Sequence, residues 1–406
     1  MAWDISRRVF IRSAGLAAVG VAGQASPLLV RMAEAAEGAT KVFVHVFLRG
    51  GADGLNMVAP YGDSRYYDLR GVIALPRPGQ AGGVVNIDGY FGFHPGLAPL
   101  KEIYDAGRLA IIPAVGNYGL SRSHFDAQDF SETGTPADKT TSTGWLDRAL
   151  KMLPGSSVTE AVAFQAQLPR AFLGPEPVLV ATNLSTFDLR APGWRAEAES
   201  LLRAMYEGRV GDVARVTRET FDAINVLLRM PAFPVATGIN YGNGSIGNSL
   251  RQAAQIIKAG LGTRTIFVSV GGAFDTHQGQ LGAHSLEYGR IGDALSAFYR
   301  DLGPLMDDVV LLMSTEFGRA SFVNGSQGTD HGSAHCELVM GAVRGGRIAG
   351  AWPGLANSQL YQQRDLAFTV DYRDVLAEIA RRHLGLTDMA TLFPGFAPGA
   401  GPGVVA

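Results

Sequence analysis

The chain has 406 residues, enough for one large domain or two ordinary ones, and 47% of them are hydrophobic and 18% charged. This composition supports a sizeable buried core and excludes a disordered protein. The formal net charge of −2 gives no basic face, so we expect no nucleic-acid partner. A single cysteine, Cys336, excludes a disulfide within the chain, and we interpret it as a small buried hydrophobe.

The N-terminal segment has the pattern of an export signal. The run Ser6-Arg7-Arg8-Val9-Phe10-Ile11 matches a twin-arginine signal, an apolar stretch follows over residues 13–30, and Ala33-Glu34-Ala35 offers a cleavage site. We therefore predict that residues 1–35 are a signal peptide handled by the twin-arginine translocation machinery, with a periplasmic or extracellular mature protein. Glycines, a glutamine and a proline interrupt the apolar stretch, so we expect no stable membrane span in the mature protein. The alternative is a basic helix start on a cytoplasmic protein.

Four short apolar runs predict the strands of a buried sheet, at residues 41–48, 109–115, 264–270 and 309–313. They are rich in valine, isoleucine and phenylalanine without polar alternation, as in strands that are covered on both faces. Helical patterns lie between them, notably over residues 97–106 and 281–302. Strands that alternate with helices predict an α/β domain with a mainly parallel sheet, and we assign residues 36–406 to one such domain.

Residues 185–260 have a different pattern from the rest of the chain. Between residues 194 and 229, apolar side chains recur at three- and four-residue steps, which is typical of helices. We interpret this region as a helical insertion or cover on the same domain.

A polar, glycine-rich motif follows each apolar run. The side chains that could carry chemistry are, in chain order, Asp53, then Ser121, Arg122, Ser123 and His124, then Asp275 and His277, and finally Glu316, Arg319, Asp330, His331 and His335. In parallel α/β sheets the ligand site lies outside the carboxyl ends of the strands, where all four motifs fall. We therefore expect residues that are far apart in the sequence to converge on one site.

Asp275 and His277 are the most informative pair. Two residues apart on an extended chain, they project to the same side, which suits a divalent metal such as zinc or manganese. A buried Asp–His hydrogen bond has the same pattern. Asp330 and His331 are adjacent, and nearby glycines allow a bend in which one residue binds metal while the other acts from behind it. The alternative for this second pair is a loop tied together by hydrogen bonds.

Asp53 and Glu316 each follow a predicted strand, and each has two interpretations. Asp53 is either a metal ligand or a residue of an Asp-Gly turn. Glu316 is either a ligand or a partner for the nearby Arg319.

Two serines precede a predicted helix over residues 125–132. A hydroxyl group at a helix N-terminus lies near free amides and the positive end of the helix dipole, which favours binding of an anion or activation of a nucleophile. Ser121 and Ser123 are equally ordinary helix caps.

Taken together, the motifs resemble the exported bacterial family known as domain of unknown function 1501, within the alkaline phosphatase and sulfatase-like superfamily. The matching segments follow the family order over nearly the whole mature chain, and they are Phe47-Leu-Arg-Gly-Gly-Ala-Asp-Gly54, Ser121-Arg-Ser-His-Phe125, Gly144-Trp-Leu-Asp-Arg148, Asp275-Thr-His277, Thr315-Glu-Phe-Gly-Arg319 and Gly328-Thr-Asp-His-Gly332.

The resemblance implies a three-layer α/β/α sandwich with a two-metal site at the strand ends, where a hydroxyl nucleophile attacks phosphate or sulfate esters. It also implies roles for individual residues, namely metal ligation by Asp53, Asp275, His277 and His331, and nucleophilic attack by Ser123 with Ser121 in reserve. Ser123 is preferred because the following Thr133-Gly134 resembles the end of the superfamily's nucleophile helix.

Two features depart from the superfamily pattern. Glu316-Phe317 stands where the superfamily usually carries Asp-His, so one ligand is missing unless His124 or His335 replaces it. The spacing of Asp275 and His277 is also shorter than usual. We therefore expect one or two divalent ions, with zinc, manganese, magnesium and calcium as candidates.

Our leading hypothesis is an exported metal-dependent hydrolase that cleaves a small-molecule or glycan ester. Arg122 or Arg319 would hold the anionic group of the ester bidentately. The alternative hypothesis is a non-catalytic exported envelope or glycan-binding protein on the same scaffold, favoured by Glu316-Phe317. A metal-free serine hydrolase is a third and weaker hypothesis, because the chain lacks the Gly-x-Ser-x-Gly motif of a nucleophile elbow.

Overall fold

The computed structural model describes residues 40–406 apart from 118, 120, 156, 157, 190, 192 and 230–232. The predicted export signal in residues 1–35 lies outside the described residues.

Strands and helices alternate along the chain. The strands are β1 Val42–Arg49, β2 Val58–Ala59, β3 Val85–Asn86, β4 Gly92–Phe93, β5 Leu109–Gly116, β6 Ala161–Phe164, β7 Leu179–Val180, β8 Thr265–Gly271, β9 Val309–Thr315, β10 His335–Gly341, β11 Arg347–Ile348 and β12 Val370–Asp371. The α-helices are α1 Gly54–Met57, α2 Ser64–Arg70, α3 Lys101–Asp105, α4 His124–Thr133, α5 Trp145–Met152, α6 Arg195–Tyr206, α7 Asp212–Arg229, α8 Ser245–Ala259, α9 Gln280–Leu302, α10 Tyr372–Arg382 and α11 Met389–Leu392. The four strands predicted from the apolar runs are confirmed as β1, β5, β8 and β9.

Nine of the described strands form one sheet in the order β11-β5-β10-β9-β1-β8-β6-β7, with β12 paired to β5. The pairings of β1 with β8 and β9, of β6 with β7 and β8, and of β5 with β11 and β12 are all parallel. Strand β10 is antiparallel to both of its neighbours, β5 and β9. The predicted α/β class with a mainly parallel sheet is therefore confirmed.

The two faces of the sheet bury separate apolar layers, and β1 shows why. Its side chains alternate, so that Val44 and Val46 pack in one core with residues of α8 and α9. Phe43 and Phe47 pack in the other core with residues of α5 and α10. A sheet that is covered on both faces needs mostly apolar residues on both sides of each strand, which explains the apolar runs of the sequence.

The position of β10 determines which segments meet at one edge of the sheet. Strands β1, β5, β8 and β9 point the same way, so their carboxyl ends share an edge. Because β10 runs in the opposite direction, it begins at that same edge. The loop that precedes β10, with His331 in it, therefore lies beside the loops that follow the parallel strands.

The region predicted as a helical insertion contains three helices of two kinds. Helices α6 and α7 contact each other, and several of their apolar side chains are exposed. Helix α8 instead packs on β8 and α9 and buries Leu250 and Ala253 completely. Helix α8 therefore belongs to one layer of the sandwich, and a helical insertion stays a prediction for α6 and α7. Among the described helices, none combines the length and the apolarity that crossing a bilayer requires.

The turn after β9 approaches the start of β10 so closely that it needs glycine at residue 318. A Cβ added to Gly318 would lie 1.6 Å from the carbonyl oxygen of Ala334. We expect Gly318→Ala to lower the free energy of unfolding by about 2–3 kcal/mol, because the backbone of β10 has to move. Urea denaturation measures this change.

Gly325→Ala is the matched control, because no described heavy atom lies within 4 Å of an added Cβ at that position. Its effect should stay within about 0.5 kcal/mol. Equal stabilities of the two variants would show that the turn and β10 are not in such close contact.

Candidate metal centre

Three side chains from separate parts of the chain meet at the edge of the sheet. Asp275 follows β8, His331 precedes β10, and His124 is the first residue of α4. The candidate ligand atoms of these three residues all lie within 4.8 Å of one another. The fold thus brings together residues that are separated by as many as 207 positions in the chain.

The distances between the candidate ligand atoms are short enough for all three atoms to bind the same ion. The Nε2 atom of His331 is 3.0 Å from Nε2 of His124 and 3.0 Å from Oδ1 of Asp275. Nε2 of His124 is 3.3 Å from Oδ2 of Asp275. His277 joins from the side, with its Nε2 3.1 Å from Nε2 of His331 and 3.0 Å from Oδ1 of Asp275.

The opposite ring nitrogen of each histidine lies next to an oxygen. The Nδ1 contacts are 2.7 Å from His124 to Oε1 of Glu316, 3.2 Å from His277 to Oδ1 of Asp330, and 2.6 Å from His331 to the backbone carbonyl of Arg122. A carbonyl or an ionised carboxylate only accepts hydrogen bonds, so each Nδ1 carries the proton. A ring that is protonated at Nδ1 alone directs its Nε2 lone pair at the centre of the group.

Both carboxylates behind the rings are held in the ionised form. Burial opposes the ionisation of Glu316, but hydrogen bonds from His124 and Gln128 outweigh it and lower the pKa of Glu316. Burial likewise opposes the ionisation of Asp330, and hydrogen bonds from Asn324 and His277 lower its pKa. These two residues orient imidazoles and do not point an oxygen at the centre of the group.

The centre attracts positive charge. The hydrogen bond to Glu316 raises the pKa of His124 against the effect of burial, and the charges of Glu316 and Asp275 add to the rise. Two Nε2 lone pairs 3.0 Å apart repel each other unless a proton or a cation lies between them. The group is therefore arranged for a cation.

A tetrahedral metal fits the measured separations. Metal–nitrogen bonds near 2.0 Å place neighbouring ligand atoms roughly 3.3 Å apart, close to the separations of 3.0–3.3 Å found here. Imidazole nitrogens favour zinc over magnesium and calcium, which prefer oxygen ligands. Asp275 and His277 expose 45% and 47% of their side chains, so the group is open to solvent on one side.

Phe317 cannot bind a metal, and it has a packing role beneath the group. Its buried ring lies 4.7 Å from the ring of His124 and 5.0 Å from the ring of His331, measured between centroids. Of the two histidines suggested as a replacement ligand, His124 lies in the group. His335 is buried and lies 3.2 Å from Glu337 through its Nε2 atom.

Asp53 is engaged elsewhere, contrary to the sequence-based interpretation of it as a ligand. Its buried carboxylate forms an ion pair with Arg70 and accepts hydrogen bonds of 2.6 Å from Gln280 and 3.0 Å from the amide of Leu55. Burial opposes its ionisation, while the charges of Arg70 and His284 lower its pKa. Asp53 therefore caps α1 and neutralises a buried arginine, and the structure places it outside the metal group.

Both arginines that the sequence suggests as anion ligands contact a carboxylate in the structure. The guanidinium of Arg122 contacts Oδ2 of Asp365 at 2.6 Å. The buried guanidinium of Arg319 contacts Oδ1 of Asp275 at 2.8 Å and, despite the opposing effect of burial, helps to lower the pKa of Asp275. Arg319 thus positions a candidate ligand.

The two serines lie directly before α4. Ser123 is the N-cap residue of this helix but makes no side-chain capping hydrogen bond. The hydroxyl of Ser121 accepts a hydrogen bond of 3.1 Å from the amide of Ser123 and lies 3.5 Å from Oδ2 of Asp126. Ser123 is flanked by two residues that contact the group, since the carbonyl of Arg122 binds His331 and His124 is a candidate ligand.

The family described as "Protein of unknown function (DUF1501)" matches residues 40–393 of the chain. No curated protein sequence is significantly similar to it.

Two of the solved structures that resemble this chain do so weakly. A protein in the alkaline phosphatase superfamily from Vibrio parahaemolyticus is 10% identical with a TM-score of 0.34, over 82% of this chain and 68% of that one. The lipoteichoic acid synthase LtaP from Listeria monocytogenes is also 10% identical with a TM-score of 0.34, over 84% of this chain and 73% of that one.

The contacts of Asp53 predict a large structural effect of its arginine partner. Arg70→Met leaves a buried carboxylate without its counter-charge, so we expect the free energy of unfolding to fall by about 3–5 kcal/mol in urea denaturation. Changing both partners, in Asp53→Asn/Arg70→Met, should restore part of the loss. Arg65→Met, which removes an exposed ion pair with Asp68, is the control, with an effect of at most about 1 kcal/mol. A loss no larger than that of the control would contradict the buried ion pair.

Proposed function

The chain belongs to the family described as "Protein of unknown function (DUF1501)", a description that names no activity, and we propose a function for it. We propose that the protein is an exported hydrolase of phosphate or sulfate esters that depends on a divalent metal. The convergence of the Nε2 atoms of His124 and His331 with the carboxylate of Asp275 carries this proposal. His277 lies beside them as a fourth donor.

The surroundings of the group support a bound ion more than a purely structural hydrogen-bond cluster. When Nδ1 of His124 and of His331 donates to its oxygen acceptor, the neutral rings have only Nε2 lone pairs left, and these two Nε2 atoms are 3.0 Å apart. A metal-binding histidine typically donates its Nδ1 proton to an oxygen in this way, which leaves the Nε2 lone pair available for the metal. Zinc is the ion that the donor set favours.

When bound, the ion supplies the positive charge that an ester anion requires, which Arg122 and Arg319 do not supply because each faces a carboxylate. Ser123 is the proposed nucleophile. It lies next to His124 in sequence, and its hydroxyl is not used to cap α4. The first-turn amides of this ten-residue helix offer further hydrogen bonds to an anion.

Export is part of the proposal and is supported by the twin-arginine pattern at residues 6–11 and the apolar stretch after it. The twin-arginine machinery transports folded chains, so a metal could be inserted before transport. The mature enzyme would then act in the periplasm or outside the cell.

Asp275→Asn should weaken zinc binding by at least about a hundredfold, because the amide replaces the single anionic member of the group. Isothermal titration of metal-stripped protein with zinc measures the affinity. Asp68→Asn, at an exposed aspartate on α2, is the matched control and should bind zinc as the wild type does. Absence of zinc binding by the wild-type protein would refute the metal centre.

Ser123→Ala should lower kcat on aryl phosphate or aryl sulfate esters by more than about a thousandfold, as expected for loss of a nucleophile. Its zinc affinity should remain within about twofold of the wild-type value, which separates loss of chemistry from loss of metal. Ser121→Ala is the control and should retain activity. If Ser121→Ala abolishes turnover and Ser123→Ala does not, the assignment of the nucleophile is wrong. A zinc-loaded wild-type protein that cleaves none of these esters would favour the non-catalytic alternative.

A further inference from the structure

Three exposed aromatic side chains lie on segments that build or contact the group of His124, Asp275 and His331. Among the described residues, four aromatic side chains are exposed, and they are Phe125 at 89%, Trp194 at 58%, Phe322 at 37% and Tyr361 at 36%. Only Trp194 lies on the added helical region. The other three are on segments that build or contact the metal group, and we call them the aromatic rim.

Contacts within the structure connect each member of the rim to the group. Phe125 directly follows His124 at the start of α4. The residue before Phe322 donates its amide to the carbonyl of Arg364, whose guanidinium in turn binds the carbonyl of His331 at 2.9 Å. The residue after Tyr361 accepts a hydrogen bond of 3.0 Å from Arg122.

Exposed glutamines lie on the same loops as the aromatic rim, in an unusual backbone conformation. Gln327, Gln362 and Gln363 have φ angles of 59°, 53° and 54°, and among the described residues only Ala137 is also a non-glycine residue with positive φ. Such angles cost energy for a residue with a side chain, and they tend to occur at functional sites. Hydrogen bonds hold these loops in place, including one of 3.0 Å from the amide of Gln280 to the carbonyl of Gln327.

We propose that the aromatic rim and its glutamines bind the sugar ring of a saccharide ester, whose anionic group would lie at the metal group. This inference rests on the proposed ester hydrolysis and names its substrate class. A pyranose ring has faces of C–H groups that pack on the electron-rich face of an aromatic ring, and an edge of hydroxyl groups. The amides of Gln327 and Gln363 offer both donors and acceptors to such hydroxyls, while the amide of Gln362 is bonded to Arg122 and Tyr361.

The mixture of rings and amides favours a saccharide over an aryl or alkyl group. A site for a purely apolar group would gain nothing from the exposed amides of Gln327 and Gln363, and burying them without partners would cost binding free energy. A sugar satisfies both kinds of side chain at once. The exposure of Phe125 also leaves it free for a ligand, since little of its surface is used for packing in the folded protein.

The test compares esters that share a reacting group but differ in the alcohol. Zinc-loaded protein is assayed on glucose 6-phosphate and glucose 6-sulfate, and on methyl phosphate and methyl sulfate. Phe125→Ala should lower kcat/KM for the glucose esters roughly three- to tenfold, the range expected for loss of one ring contact. The values for the methyl esters should stay within about twofold. Trp194→Ala, the matched exposed aromatic control, should change neither class.

Phenyl phosphate and phenyl sulfate decide whether the rim recognises saccharides in particular. An equal loss on phenyl and glucose esters in Phe125→Ala would overturn the saccharide assignment. Equal kinetics of Phe125→Ala and wild type on the glucose esters would overturn the rim altogether, even though the hydrolase would then stand.

A binding measurement keeps the rim testable if no ester is hydrolysed. Titration calorimetry with glucose 6-sulfate should show weaker binding by Phe125→Ala than by wild type and Trp194→Ala. That result without turnover would support the rim while the proposed hydrolase fails. Absence of binding to the wild-type protein, together with absence of turnover, would overturn the rim as well.

Discussion

The Nδ1 atoms of His124, His277 and His331 donate hydrogen bonds that fix the orientation of the three rings and so the direction of their Nε2 lone pairs. Glu316, Asp330 and the backbone carbonyl of Arg122 accept these hydrogen bonds, and each acceptor belongs to a loop at the same edge of the sheet. Their positions follow from the strands that end or begin there. The chemistry available to the site therefore depends on backbone topology first and on the identity of the ligands second.

The charges around this edge balance in pairs. Arginines face the carboxylates of Asp53, Asp275 and Asp365, and the pair of Asp53 with Arg70 is completely buried. A carboxylate that neutralises a buried arginine contributes to the fold and offers little to a metal. Asp275 differs from the other two because nearly half of its side chain is exposed and it also contacts imidazoles. Asp275 therefore combines an arginine partner with imidazole neighbours at the solvent-exposed edge.

The sequence predicted the sandwich well because its signals are local. An apolar run without polar alternation indicates a strand that is covered on both faces, and β1, β5, β8 and β9 all have such runs. Strand β10 was not predicted, and the sequence gives no direct indication of its antiparallel direction, which arises from its pairing with β5 and β9.

The site was harder to predict than the fold because the partner of a side chain is invisible in a motif. Asp53 follows a strand just as Asp275 does. The carboxylate of Asp53 forms an ion pair with Arg70, whereas that of Asp275 is surrounded by imidazoles. The sequence places Glu316 and Asp330 near the candidate ligands, but it does not show which atoms their carboxylates face. The sequence suggests His124 as a ligand only because Phe317 cannot serve, and the structure places His124 in the group.

The antiparallel placement of β10 has a consequence for the order in which the molecule folds. His335 pairs with Val115, roughly 220 residues earlier in the chain, and the neighbouring strand β9 also has to be present. Pairings between such distant segments form slowly, because a long loop must close before they gain any contacts. His331 lies in the loop before β10, so it comes close to His124 and Asp275 only after β10 has paired with β5 and β9. A ribosome-bound or half-folded chain would thus hold the individual histidines without the cluster that they form in the folded protein.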